Sequence, residues 1–455
     1  MRCLRPWMIL VSALLSQSWA ISVEAETAAK VRVATFCCDV TPPLGQTMIA
    51  GDTIATVPQP LLAKGIVLDA DGQRYVLCAV DWCELTNGTH DALRKRIAVA
   101  AGADASRVAV QCVHQHTAPL VDVDAQKLLA EVGAGQLLMD AKVWGEITQR
   151  LAATVKQSLA RFEPVDRVGI GQAKVDRVAA TRRVAVEGGK IRVRYSTCKE
   201  ADLRALPEGT IDPYLKTVTL ARGQKPLVRL HYYATHPQTR YGDGRASSDF
   251  PGAAREKLER KEGVFQVYFT GCGGDITVGK YNDGSDQCRD ELAERLLAGM
   301  EASVAATKLA PLGPIRWRTY PLRLTPRTDA GHTPAECLAL MKNKEAAPSS
   351  RAYLGAMRVV FLQRKGQPIE VSSLAIGDAY LLHLPGEPMV AFQQYAQQQR
   401  PGAFVAVAGY GDCGPGYLCT ERAFREGGYE PTASAVVPES EAAIKKAISA
   451  LLGID

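Results

Sequence analysis

The chain has 455 residues, 47% hydrophobic and 22% charged, an ordinary globular balance and long enough to bury a core without disulfide staples. Its formal net charge is +6, but the basic residues are scattered and form no block, which excludes a nucleic-acid surface. The same modest charge permits peripheral contact with an anionic membrane surface, and nothing in the pattern implies a protein partner.

Residues 1–25 read as a signal peptide. Arg2 and Arg5 precede an apolar run from Trp7 to Leu15, and Ser18 and Ala20 supply the small residues of a cleavage site, with a second acceptable site after Ala25. The run is too short to span a bilayer, which needs about 20 residues. Export, to the periplasm or the medium, is therefore expected, with residues 26–455 as the mature domain.

Beyond the leader, the elements alternate. QRYVLCAVDW is a continuous apolar run, as for a strand buried on both faces. THDALRKRIAVAAG follows as a helix stopped by Gly102. SRVAVQCV is the next strand. The long helix after Asp140 has Val143, Ile147, Leu151, Val155 and Leu159 in one stripe. The section from about 165 to 230 is β-rich. KPLVRLHYYAT and VFQVYFTG read as buried strands, and DQCRDELAERLLAGMEASVAAT as an amphipathic helix. Residues 311–330 look extended, LAIGDAYLLHLPG and AFVAVAGYG read as two more strands, and a helix with Ile444, Ala447, Ile448 and Leu451 on one face closes the chain. The predicted fold class is α/β, a mixed sheet core flanked by helices.

Chemistry collects where the strands end. VAVQCV ends in HQHTAP, VRLHYYAT in HPQTRYGDG, VFQVYFTG in CGGDITVG, DAYLLHL in PGEP and FVAVAGY in GDCGPGY. In open α/β sheets the ligand crevice lies outside the carboxyl ends of the strands, so five ends can converge. If the strand continues through His114 and His116, both rings face one way, suiting one imidazole on a metal and the other beside water or substrate. The other reading is a surface loop with two solvated histidines. His236 precedes Pro237, which fixes an extended chain. Glu387, between two prolines, is either a fixed ligand or a charge favouring the dipole of the following helix. Two histidines and a carboxylate suit zinc with a position left for water. GCGGD is a candidate anion or oxyanion nest, but it lacks the ending of a phosphate-binding loop. Twelve cysteines include Cys3 in the leader, so an odd number remains and at least one thiol is unpaired. Cys78 and Cys112 are expected as buried thiols, and Cys272/Cys288 and Cys413/Cys419 are the pairs to test.

Taken in order, HQHTAP, ATHPQT, GCGGDIT, LPGEP and the tyrosines of GYLCTERAFREGGYEPTAS, with FCCDVTPPLG near the start, resemble the neutral/alkaline (non-lysosomal) ceramidases over about residues 31–440. The resemblance implies Zn2+ held by His114, His236, Glu387 and Tyr417. It implies catalytic or positioning roles for His116, Tyr429, Arg182 and Asp39, and hydrolysis of a linear amide, N-acylsphingosine or a related small-molecule or lipid substrate, by zinc-activated water. The family's serine in GDVSPN is replaced by Thr277 in GDITVG, and no stretch corresponds to the C-terminal immunoglobulin-like domain of ceramidases. An esterase, or a binding protein without catalysis on the same fold, is the alternative.

Overall fold

The computed structural model describes residues 31–343 and 350–454; the expected signal peptide lies outside them. Three sheets organise the chain. The first runs in the order Val108–Cys112, Gln73–Val80, Leu62–Ala70, Val31–Asp39, Glu163–Pro164. The second runs Phe265–Thr270, Lys225–Tyr233, Tyr214–Arg222, Arg167–Lys174, Lys308–Pro311. The third runs Ile315–Leu322, Ile369–Ile376, Ala379–His383, Phe404–Ala408.

Each of these sheets is antiparallel except for one parallel pair: Val76 opposite Val108, Val228 opposite Phe265, and Ala379 opposite Phe404. Parallel strands need cover on both faces, and the six strands of these pairs are the apolar runs of the sequence, buried along almost their whole length.

Their carboxyl ends are laced together. The Cys112 N–H donates to the Tyr410 carbonyl at 2.8 Å, the Gly409 N–H to Thr270 at 2.9 Å, and the Leu384 N–H to Ala408 at 2.8 Å. The buried Gln111 amide donates to the carbonyls of Leu384, Ala408 and Gly409, and the Thr270 hydroxyl to Val113 at 2.6 Å. Three sheets thus deliver their strand ends to one place, and buried backbone groups there find partners, as burial demands.

Helices pack outside this seam. Ala141–Ser158 is capped by Asp140, whose carboxylate accepts from the N–H groups of Lys142 and Val143. Its buried face carries Trp144, Ile147, Leu151 and Val155, so the helix is rotated slightly from the expected stripe and the indole replaces Val143 in the core. Asn87–Ala101 ends at Gly102 with φ 62°, the left-handed stop that glycine favours. The closing helix, Ser440–Leu452, buries the four expected residues completely.

Two expectations are corrected. LAIGDAYLLHLPG is not one strand: Gly377, at φ 59°, turns the chain so that Ile376 pairs antiparallel with Ala379. Apolar residues flank that turn on both sides, which hides it from a hydrophobicity pattern. The proposed disulfides do not form, because every described cysteine is a free thiol; Cys78 and Cys112 are buried as expected. Among the described residues no helix is long and apolar enough to cross a membrane.

Candidate metal centre

The strand Val108–Cys112 stops before the histidine pair, contrary to the extended reading. His114 adopts φ 72°, a left-handed conformation uncommon for a side-chain-bearing residue and found often at functional sites. Its N–H is tied to the Trp82 carbonyl at 2.9 Å. The turn still leaves the rings of His114 and His116 with centroids 5.1 Å apart, edge to face.

The buried rings of His114 and His236 are oriented in the same way. Nδ1 of His114 lies 2.9 Å from the Cys83 carbonyl, and Nδ1 of His236 lies 2.8 Å from the Gly273 carbonyl. A carbonyl only accepts, so each Nδ1 carries the proton and each Nε2 presents a lone pair. The two Nε2 atoms are 3.0 Å apart. Glu387 Oε2 lies 3.0 Å from the first and 3.2 Å from the second. Three acceptors therefore face one another in a buried pocket, with the Tyr417 hydroxyl beside His236 as a donor at its edge, an arrangement that repels itself unless a cation sits at its centre. The carbonyl-oriented imidazole is the usual support of a metal-ligating histidine, so the residues fit a zinc-type centre.

Burial, then the nearby Arg182 guanidinium, pushes the His236 imidazole down to about 3, so it stays neutral. For Glu387, burial pushes the carboxyl up, and positive charge on the facing His114 and His236 holds it well below the usual range; with both rings neutral, a cation at the centre would have to supply that charge.

Glu387 and Tyr417 meet because Glu387–Pro388 and Tyr417–Leu418 pair in parallel, with Glu387 opposite Tyr417. The Tyr417 hydroxyl lies 3.4 Å from His236 Nε2 and accepts from Arg182 Nη1 at 2.9 Å. Burial disfavours the Arg182 charge, but Tyr417 and Glu430 restore it and raise the group above its ordinary value. The Tyr429 ring stands 5.6 Å from that of Tyr417 and is 38% exposed, which places it at the rim; burial of its hydroxyl pushes the phenol up to about 12. His116 has no protein partner at either ring nitrogen, and burial followed by the neighbouring histidines pushes it well below the ordinary imidazole value.

Two other sequence candidates sit differently. The buried Thr277 hydroxyl donates to Ser196 at 3.1 Å and accepts the Gly279 N–H at 3.1 Å. Asp39 is exposed; its carboxylate accepts from the Thr41 N–H and its carbonyl from Arg150. Neither makes a hydrogen bond or ion pair with the histidines.

Sequence reasoning missed several groups. Tyr410 stacks on His114 at 4.2 Å with its hydroxyl unpartnered. Glu430 is fully buried against Arg182 and Arg183. Glu84 is a buried acid pushed well up by burial and by Glu387. The flanking glycines of Tyr410, at the end of an apolar strand, were the one local signal.

The glycine-rich loop is not an open nest: the N–H groups of Gly271 and Gly274 are spent on Tyr233 and Pro388. Its glycines permit close approach instead. A Cβ on Gly274 would stand 2.4 Å from the Glu387 carbonyl. Gly274→Ala is therefore expected to shift Glu387 and weaken metal affinity about 10–100-fold, the range for disturbed support of a ligand. A competition titration against a chelator measures this, with far-UV circular dichroism verifying the fold.

The architecture and this centre define a mixed α/β protein with a buried two-histidine, one-carboxylate cluster backed by a phenol. No family model matches the chain, and no curated protein matches it by sequence. Solved structures do. A ceramidase complexed with C2 aligns with TM-score 0.68 at 16% identity, over 93% of this chain and 76% of that one. The neutral ceramidase from Pseudomonas aeruginosa aligns with TM-score 0.67 at 14% identity, over 94% of this chain and 75% of that one. At these identities the likeness is one of fold, and it matches the predicted α/β class.

Proposed function

We propose that the chain is an exported, zinc-dependent hydrolase of a linear amide, with an N-acylsphingosine or related N-acyl compound as substrate. The observation that carries this reading is the buried cluster of facing acceptors, His114 Nε2, His236 Nε2 and Glu387 Oε2. The fold shared with proteins named ceramidases supports the choice of bond.

His114, His236 and Glu387 would hold the ion, with Tyr417 beside them. Zinc in such a setting polarises a carbonyl and makes water acidic near neutral pH.

The remaining roles belong to side chains. Arg182 fixes the Tyr417 oxygen through its 2.9 Å hydrogen bond. Tyr429, a protonated phenol at the rim, donates to the oxygen that becomes negative as the amide carbonyl is attacked. His116 is neutral and unpartnered, so it accepts the proton that the attacking water loses and returns it to the leaving nitrogen. The amide C–N bond breaks, the water oxygen joins the acyl carbon, and the proton ends on the amine. Thr277, held to Ser196, positions the loop beside the substrate.

Matched amide and ester substrates test the bond. Faster turnover of the amide is expected, and hydrolysis of the ester alone would sink the amide assignment. Tyr429→Phe is expected to lower kcat about 100-fold with little change in KM, the signature of a contact made in the transition state. Export rests on residues 1–25, and N-terminal sequencing of the mature protein checks it: an intact Met1 would remove it.

A further inference from the structure

We propose that the cleft between the second and third sheets binds a carboxylate carried on an apolar chain, with the Lys216 ammonium as its anchor. The cleft has a volume of about 720 Å³, a size ordinary for a small-molecule site. It shares no lining residue with the metal cluster.

Strand register builds one wall. In the second sheet Lys216 stands opposite Gln172, and Lys308 stands opposite Ile170. Residues opposite each other, and residues two apart on one strand, share a face, so all four side chains project to the same side. Phe404, at the start of a third-sheet strand, meets them: its ring centroid lies 5.8 Å from Lys216 Nζ. The cleft is thus apolar at Ile170 and Phe404 and cationic at Lys216 and Lys308, and no carboxylate lines it.

Lys216 is the residue that asks for a ligand. It is 8% exposed, and an ammonium has three protons to donate. One goes to Gln172 Oε1 at 2.9 Å. The Tyr214 and Phe404 rings, each 5.8 Å away, add only cation–π contacts. Asp212 is spent elsewhere: its carboxylate accepts from the Tyr214 N–H and from the side-chain amides of Gln393 and Gln397. Burial lowers the Lys216 ammonium from its ordinary value, and Asp212 offsets only part of this. Lys216 forms no ion pair among the described residues, and a buried charge without one is costly. A ligand carboxylate supplies the missing partner while its chain covers Ile170 and Phe404. Exposed Lys308 adds a second positive charge that favours an anion. Hydrolysis of an N-acyl amide releases a molecule of this class, so the cleft suits retention of the acyl product away from the metal. That role rests on the proposed function; the site itself does not.

The test is calorimetric titration of the full-length protein with octanoate. Octanol, the chain without the charge, and acetate, the charge without the chain, are titrated in parallel. Octanoate is expected to bind at least about tenfold more tightly than either. Lys216→Met keeps the apolar stem and removes the charge, and should weaken octanoate about 10–100-fold, the worth of a hydrogen bond to a charged group. Because it removes an unpaired buried charge, this variant should unfold no earlier than wild type. Lys308→Glu, at an exposed position where folding is not at issue, should also weaken octanoate and leave octanol unchanged. Glu387→Ala should bind octanoate as the wild type does, which separates the cleft from the metal centre. Octanoate affinity unchanged in Lys216→Met, or equal binding of octanol or acetate, overturns the proposal. So does loss of octanoate binding in Glu387→Ala, or no octanoate binding at all.

Discussion

Glu387→Ala is expected to reduce bound metal from about one ion per chain to near zero, and hydrolysis by a factor on the order of 10³ or more. The carboxylate supplies the only negative charge among the three facing acceptors, since both imidazoles keep their protons on Nδ1. Two neutral nitrogens alone bind a divalent ion weakly, and the Tyr417 phenol is held protonated by burial, which outweighs the opposing effect of Arg182. The change also has an opposite effect on the metal-free protein. Removing Glu387 relieves the repulsion among acceptors, so the metal-free variant should unfold no earlier than metal-free wild type. Added zinc should stabilise only the wild type, by about 2.7 kcal/mol at a free ion concentration of 100 Kd. Elemental analysis and thermal unfolding with and without a chelator measure the two effects. Retained metal in the variant would strike Glu387 from the ligand set.

Much of this centre was legible because metal ligands sit at strand ends and strand ends are marked by composition. His114, His236 and Glu387 each follow an apolar run, and the glycines and prolines after those runs mark where the backbone leaves the sheet. The partners that orient the histidines were not legible. The carbonyls of Cys83 and Gly273 are backbone atoms, present at every residue, and only the fold selects which two point at the rings. The conformation of His114 was missed because period-2 alternation assumes that a strand continues, and the Trp82 carbonyl ends it by capturing the His114 N–H. Cysteine spacing likewise fixed no pairing: Cys413 and Cys419 are buried in separate core clusters, and Cys272 is buried while Cys288 is only half-buried. The helix Pro334–Lys342 carried a readable start: Thr333 and Glu336 form a reciprocal capping box with Pro334 between them. The helix Asp249–Glu262 was harder to read, because part of its buried face is charged.

That charged face sets the largest expected loss of stability. Arg255, 1% exposed, forks onto fully buried Asp81 with two hydrogen bonds of 2.8 Å. Asp81 also accepts the Leu62 N–H at 2.9 Å, and Arg255 reaches Glu256, which shares buried Lys64 with Glu259. Helix Asp249–Glu262 is thereby fastened to the first sheet by ions rather than by apolar packing alone. Asp81→Ala leaves a buried guanidinium without its main partner, a change that costs about 3–5 kcal/mol out of a total stability of roughly 5–15 kcal/mol. Asp81 stands two residues before Cys83, whose carbonyl orients His114, so metal affinity should fall along with the unfolding midpoint. Replacing both partners with apolar residues, Asp81→Leu with Arg255→Met, removes the stranded charge and is expected to recover most of the stability. Because it does not restore the hydrogen bond to Leu62, metal affinity should recover less. Denaturant unfolding of the two single variants and the double variant gives the coupling directly. A loss below about 1 kcal/mol in Asp81→Ala, the range of an exposed pair, would mean that water reaches Arg255 and that the network does not hold the strand end in place.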